Sequence, residues 1–207
     1  MSPSQVFHAV QGIKDGDPGD RREGFRRQGH YQIERANAVV ENKQKLAAGH
    51  FYLGAAYAYR AALQYTDPAE NNFDERVLEM ENAFQQGIDF VGVPMRPIEV
   101  PFENTTLPGY YLEHDKSPRS VVMMVGGGDT FREDLFYFAG YPGWKRGYNV
   151  VMDFRQRGVD VTLREFTAAE GADGHSQVNN LRLAHLVIFD WLDRVFGNEP
   201  GDVRLRC

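Results

Sequence analysis

The run Ser120-Val121-Val122-Met123-Met124-Val125 carries no charge and stops at Gly126-Gly127-Gly128-Asp129. An alternating strand can leave one face in water, whereas an unbroken apolar run reads as a strand covered on both faces, the habit of parallel sheets. Phe131 to Trp144 is predicted as a helix with aromatic residues inward, and Tyr148 to Met152 as a second buried strand ending at Asp153. Strand, glycine-rich turn, helix and strand in this order make one βαβ crossover. The fold class is therefore α/β for this part of the chain.

The flanking segments set the organisation. Ile98 to Phe102 and Leu107 to His114 read as a β-hairpin around Glu103-Asn104-Thr105-Thr106, with a second turn at Asp115-Lys116-Ser117-Pro118. Before about residue 92 the composition shifts to Ala, Gln, Glu, Arg and Tyr at helical spacing. One amphipathic helix is expected from Asp20 to Leu46, with a break at Gly29, and a second from Ala47 to Tyr65, stopped by Asp67-Pro68. A third is expected from Asn72 to Gln86, with Gly87 as its stop. A tetratricopeptide-type array is the competing reading, but no second copy appears at its period of about 34 residues. A helical domain over 1–92 and an α/β domain over 93–197 follow, with a frayed tail over 198–207.

Toward the C-terminus the pattern predicts a strand from Val159 to Phe166, a loop from Thr167 to Gln177 and a helix from Val178 to Phe196 capped by Gly197. Only Arg155-Gln156-Arg157-Gly158 separates this strand from the one before it. Parallel neighbours need a crossover of about a dozen residues or more. The spacing therefore predicts a junction near 153–158 from which several βα units are missing, on the order of 100 residues at about 30 each. A sheet shortened in this way exposes an apolar strand edge unless the last strand replaces a lost neighbour, and a homo-oligomer or aggregation is expected.

Charge and cysteine use exclude several classes. With 23 Lys and Arg scattered among 29 Asp and Glu, the net charge is −6, and no basic patch for nucleic acid exists. The single cysteine, Cys207, rules out an intrachain disulfide and a cysteine zinc site, and a reducing cytoplasm is the expected compartment. No window approaches the roughly 18 apolar residues of a membrane span, and the N-terminus has no signal-peptide pattern. His8, His30, His50, His114 and His185 show no metal-ligand spacing. No metal or organic cofactor is expected.

Two places hold residues of chemical interest. Gly126 to Asp129 ends a buried strand and opens a helix, where free N–H groups can face an oxyanion; a tight strand-to-helix turn is the alternative. Gly174-His175-Ser176 lies in a polar loop from Glu170 to Gln177, where the imidazole is either a general base or a solvated or helix-capping group. Asp129, Asp153 and Glu170 read equally as caps, strand-end residues or catalysts. Tyr52 and Tyr59 are candidate contacts for an aromatic or apolar ligand.

Val100-Pro101-Phe102, Leu107-Pro108-Gly109-Tyr110-Tyr111-Leu112 and Gly126-Gly127-Gly128-Asp129 together resemble the start of the catalytic domain in the FrsA-like branch of the α/β hydrolases. The stretch from Glu170 to Asn180, followed by Phe189-Asp190-Trp191-Leu192-Asp193, is similar to that branch's loop around its catalytic histidine. The helical first ninety residues are similar to its substrate-covering helical domain. The resemblance implies a truncated α/β-hydrolase sheet with a helical cap, His175 as general base, and Gly127 and Gly128 as the oxyanion hole. It also implies cleavage of an ester, amide or carbon–carbon bond beside a carbonyl, with a small carbonyl-bearing molecule, aromatic in character, as partner. Such enzymes place a serine in a Gly-x-Ser-x-Gly elbow. The serines here are Ser2, Ser4, Ser117, Ser120 and Ser176, and none stands in such a setting. Without a nucleophile, impaired triad chemistry is expected; a noncatalytic ligand-binding or helical interaction protein is the alternative.

Overall fold

The computed structural model describes residues 3–102, 104–114, 120–127, 130–153, 167–171 and 180–197, the side chains of Phe102, Thr105 and Asp153 excepted. Two units are distinguished, Met1–Val93 and Pro94–Cys207.

The first unit is built from four helices, α1 Pro3–Val10, α2 Pro18–Glu41, α3 Lys45–Leu63 and α4 Phe73–Val91. The sequence reading has no counterpart of α1, a short helix that buries only Ala9, against Phe25 and Ala62. Asp17 opens α2 by accepting the Asp20 N–H at 3.0 Å, and Pro18, which lacks an N–H, costs nothing in the first turn. Gly29 does not break α2 as expected. A Cβ there would lie 2.3 Å from Tyr59 Cε1, so the glycine is what admits the tyrosine ring.

A second correction concerns Gly87. The helix runs through it to Val91, because Gly87 is a contact point: a Cβ would meet Leu53 Cγ at 2.6 Å and Leu53 N at 2.9 Å. Gly49 on α3 is similarly tight, 2.7 Å from Val91 Cγ1. Small residues thus bring α3 and α4 together almost backbone to backbone. The actual stop is Gly92, whose φ of 71° is the left-handed conformation that a glycine adopts without steric cost.

The second unit starts with the expected hairpin, β1 Met95–Phe102 and β2 Thr105–Leu112, paired antiparallel from Met95↔Leu112 to Phe102↔Thr105. β3 Val121–Val125 and β4 Asn149–Asp153 pair in parallel from Val121↔Asn149 to Val125↔Asp153, the register a βαβ crossover makes. β2 pairs antiparallel with β4, and the strand order is β1-β2-β4-β3. Among the described residues, β3 therefore lies at an edge of this four-stranded sheet. The unbroken apolar run predicts burial on both faces, yet Val121, Met123 and Val125 are 49%, 61% and 38% exposed. Only alternate residues of β3 turn inward.

The crossover helix is also different from the single expected element. It divides into α5 Arg132–Leu135, a π-helical turn Phe136–Gly140, and α6 Tyr141–Lys145. Pro142 has no N–H to offer the Phe138 carbonyl four residues earlier, and His185 Nε2 bonds to that carbonyl instead. Gly140 lets the turn approach β4, since a Cβ would stand 2.6 Å from Met152 Sδ. Helix α7, Leu181–Phe196, packs its buried Phe189 against the ring of Tyr148, and the Tyr148 hydroxyl bonds to Asp193 Oδ1. Asn180 Oδ1 caps α7 by accepting the Leu183 N–H, and Gly197 ends it at φ 62°. The expected strand Val159 to Phe166, the segment 154–158 and the tail from Asn198 lie outside the described residues.

Candidate functional site

In a βαβ unit, ligands sit beyond the carboxyl ends of the strands, where the chain turns into a helix. Here that position is the turn from Val125 to Arg132. The Thr130 N–H donates to the Gly127 carbonyl at 3.1 Å, and the Gly127 N–H donates to Thr130 Oγ1 at 3.2 Å. Gly126 is needed for close approach, as a Cβ would fall 2.9 Å from Thr130 Cβ. Phe131 N–H then donates to Asp134 Oδ2 at 3.0 Å, which caps α5. Of the expected oxyanion donors, Gly127 is exposed, and its N–H is held by a neighbouring hydroxyl. Gly128, Asp129 and His175 lie outside the described residues.

Directly behind this turn is a group that sequence reasoning overlooked. Glu133, in the first turn of α5, is 2% exposed, and its Oε1 accepts from the Tyr110 hydroxyl at 2.8 Å and from Arg132 Nε at 2.9 Å. The Arg132 guanidinium stands over the Tyr110 ring, with Cζ 4.7 Å from its centroid. An acid in the first helical turn ordinarily complements the helix dipole in water, so the sequence offers no sign that this one is inside.

The remaining candidates have packing roles. Tyr52 and Tyr59 are 5% and 6% exposed, which does not fit the substrate contact expected of them. Tyr52 stacks on Phe90 and donates to Asn37 Oδ1 at 2.6 Å. Tyr59 fills the gap above Gly29 and borders a cavity of only about 10 Å³ with Arg26, Leu63 and Glu79. Burial, with Glu79 adding to it and Arg26 opposing it, pushes the Tyr59 phenol up to about 12. Glu170 is a cap: its Oε2 accepts the Thr167 N–H and hydroxyl, each at 3.0 Å. The Asp153 side chain is not among those described. Among the described residues, no three His, Cys, Asp or Glu side chains are grouped to hold a metal ion, and no helix is long and apolar enough to cross a membrane.

Comparison with known proteins places this arrangement. The family described as Esterase FrsA-like matches residues 18–156, from the start of α2 to just past the end of β4. A hydrolase from a Fusarium species is 31% identical over 168 residues, which cover 74% of this chain and 38% of that protein. The 20-hydroxy-prefusarin hydrolase of Gibberella moniliformis is 32% identical over 167 residues, covering 73% of this chain and 38% of that one. The crystal structure of the 2,6-dihydroxy-pseudo-oxynicotine hydrolase superposes with a TM-score of 0.58 at 17% identity, over 74% of this chain and 42% of its own. The chain spans about two fifths of the length of the curated relatives it matches.

Proposed function

This chain belongs to the FrsA-like esterase family of α/β hydrolases, and from that premise we propose that it is a hydrolase-lineage protein whose triad-dependent turnover is impaired. Its partner is a small carbonyl-bearing molecule, aromatic in character, and the ancestral reaction is hydrolysis of an ester, an amide or a carbon–carbon bond beside a carbonyl. The observation that supports this reading is the turn at the end of β3, where parallel pairing with β4 and the close packing of Gly126 on Thr130 set the glycine-rich segment at the carboxyl edge of the sheet. In such chemistry, donors fixed in advance around the developing oxyanion do most of the electrostatic work. Gly127 and Gly128 are assigned that role, with Asp129 beside them. The Gly127 N–H must exchange its bond to Thr130 Oγ1 for one to the oxyanion.

His175 is assigned the general base by resemblance. What it lacks is a nucleophile: no serine of the chain stands in a Gly-x-Ser-x-Gly setting, and attack at the carbonyl needs a hydroxyl within reach of the base. The family match ending at residue 156 supports a junction near 153–158, because the elbow follows a later strand of the sheet in such enzymes. In this reading the chain acts in the cytoplasm and associates with a second copy of itself.

The deciding experiment is turnover of p-nitrophenyl acetate and butyrate, run beside labelling with a fluorophosphonate that marks activated serines. The expected outcome is turnover at the buffer rate and no stoichiometric label. One label per chain, together with loss of turnover in His175→Ala, overturns the reading.

A second reading, a noncatalytic ligand-binding protein, is favoured by a groove of about 350 Å³ within the helical unit. It is lined by Gln5, His8, Gln28, Tyr31, Gln32 and Phe51. Saturable binding of an aromatic ketone that survives His175→Ala, without turnover, supports that second reading.

A further inference from the structure

Glu133 is the one charged side chain that is buried among the described residues. Taking a carboxylate out of water costs several kcal/mol unless partners replace the lost hydration. The partners come from two elements: Tyr110, paired with Met152 in the middle of the sheet, and Arg132, the residue before Glu133 on α5. The carboxylate thereby ties the first turn of α5 to β2. From α5 the links continue back toward β3, through Phe131 N–H to Asp134 Oδ2 and through the Thr130 N–H to the Gly127 carbonyl, a bond that leaves the Gly127 N–H able to turn to an anion.

We propose that Glu133, held by Tyr110 and Arg132, is a positioning residue that clamps the start of α5 onto the sheet and so fixes the direction of the backbone N–H at Gly127. The significance of that N–H for an anion rests on the function proposed above; the clamp itself does not. Glu133 Oε1 is engaged by Tyr110 and Arg132, so the proposed role acts through the start of α5.

The test is amide hydrogen exchange on the full chain, comparing the parent with Tyr110→Phe, Glu133→Ala and Glu133→Gln. Tyr110→Phe removes one hydroxyl and is the mildest variant. The clamp predicts that Tyr110→Phe and Glu133→Ala raise exchange over 130–135 by about tenfold, the effect of losing one or two net hydrogen bonds to a local opening. Exchange in β1 stays at the parent value. Glu133→Gln, which keeps an oxygen acceptor, returns most of the protection. A side chain that only fills space predicts no difference between Tyr110→Phe and the parent. That result overturns the clamp, as does a rise spread evenly over the chain.

A second arm titrates the same proteins with sodium benzoate and follows the Gly127 amide resonance. A shift in the parent that weakens by about tenfold in Tyr110→Phe supports positioning of the donor. An equal shift in both overturns positioning. No shift in the parent, with the exchange pattern as expected, overturns the anion reading of the turn and leaves the clamp standing.

Discussion

Tyr59 shows what a single position does in this chain. Its phenol is raised from the ordinary 10 to about 12, first by burial and then by Glu79. A group that holds its proton more tightly when folded contributes fully to stability below its unfolded pKa, and the contribution is lost as pH rises through the folded value. The window here is from about pH 10 to about pH 12. Urea unfolding between pH 9 and pH 12 is expected to show stability falling across that window, by on the order of 2 kcal/mol from this group. Tyr59→Phe is expected to lose that part of the slope; an unchanged slope would show that Tyr59 ionises freely. At the same scale, the turn at Gly126 and Gly127 was legible because glycines after an apolar run mark a change of chain direction, and the Gly127–Thr130 bonds are that turn. Glu133 was not, because burial of an acid depends on a tyrosine 23 positions away. Tyr52 and Tyr59 show the same limit: an aromatic on a helix face looks alike whether it meets a ligand or another helix, and both are buried against helical neighbours here.

At the level of elements, periodicity located α2, α3, α4 and the β1–β2 hairpin, since each repeats its apolar residues at the period of its backbone. What periodicity could not do was assign the glycines. Gly29 and Gly87 were read as a break and a stop, the local meaning of glycine, yet both lie within continuous helices where another helix touches them. The correction yields a prediction. Gly87→Ala gains about 1 kcal/mol of helix propensity, but its methyl would stand 2.9 Å from the Leu53 backbone nitrogen, a contact that no rotamer change relieves. The overlap costs about 1–3 kcal/mol. The measured outcome is expected to be a lower melting temperature by far-ultraviolet circular dichroism. Gly54→Ala, which meets only the Gln32 side chain at 3.2 Å, is expected to be neutral or stabilising. If the two variants melt alike, close packing of α3 on α4 is not what Gly87 provides. The π-helical turn at Phe136–Gly140 was likewise invisible, since Pro142 alone does not say which group will take the Phe138 carbonyl it leaves; His185 does so from 47 positions away.

For the molecule as a whole, the sheet order and the reach of the family match matter most. Edge strands attract other chains, and proteins guard them with proline and charge. β1 has such guards, Arg96, Pro97, Glu99 and Pro101, whereas β3 has none and exposes Val121, Met123 and Val125. The proposed self-association is therefore expected to involve β3. Met123→Lys, at a position 61% exposed, should shift the sedimentation-velocity distribution toward the monomer without lowering the melting temperature. A distribution identical to the parent's would remove β3 from the interface. The α/β class, the helical and strand halves, the crossover and the hydrolase lineage were all determined by the sequence, because hydrophobic period, turn residues and short motifs are local properties of a chain. Which face of β3 stays in water, which glycines are contacts, and which carboxylate is drawn inside were decided by tertiary structure alone. Each depends on a partner far away in the chain, and burial has no sequence signature until that partner is in place.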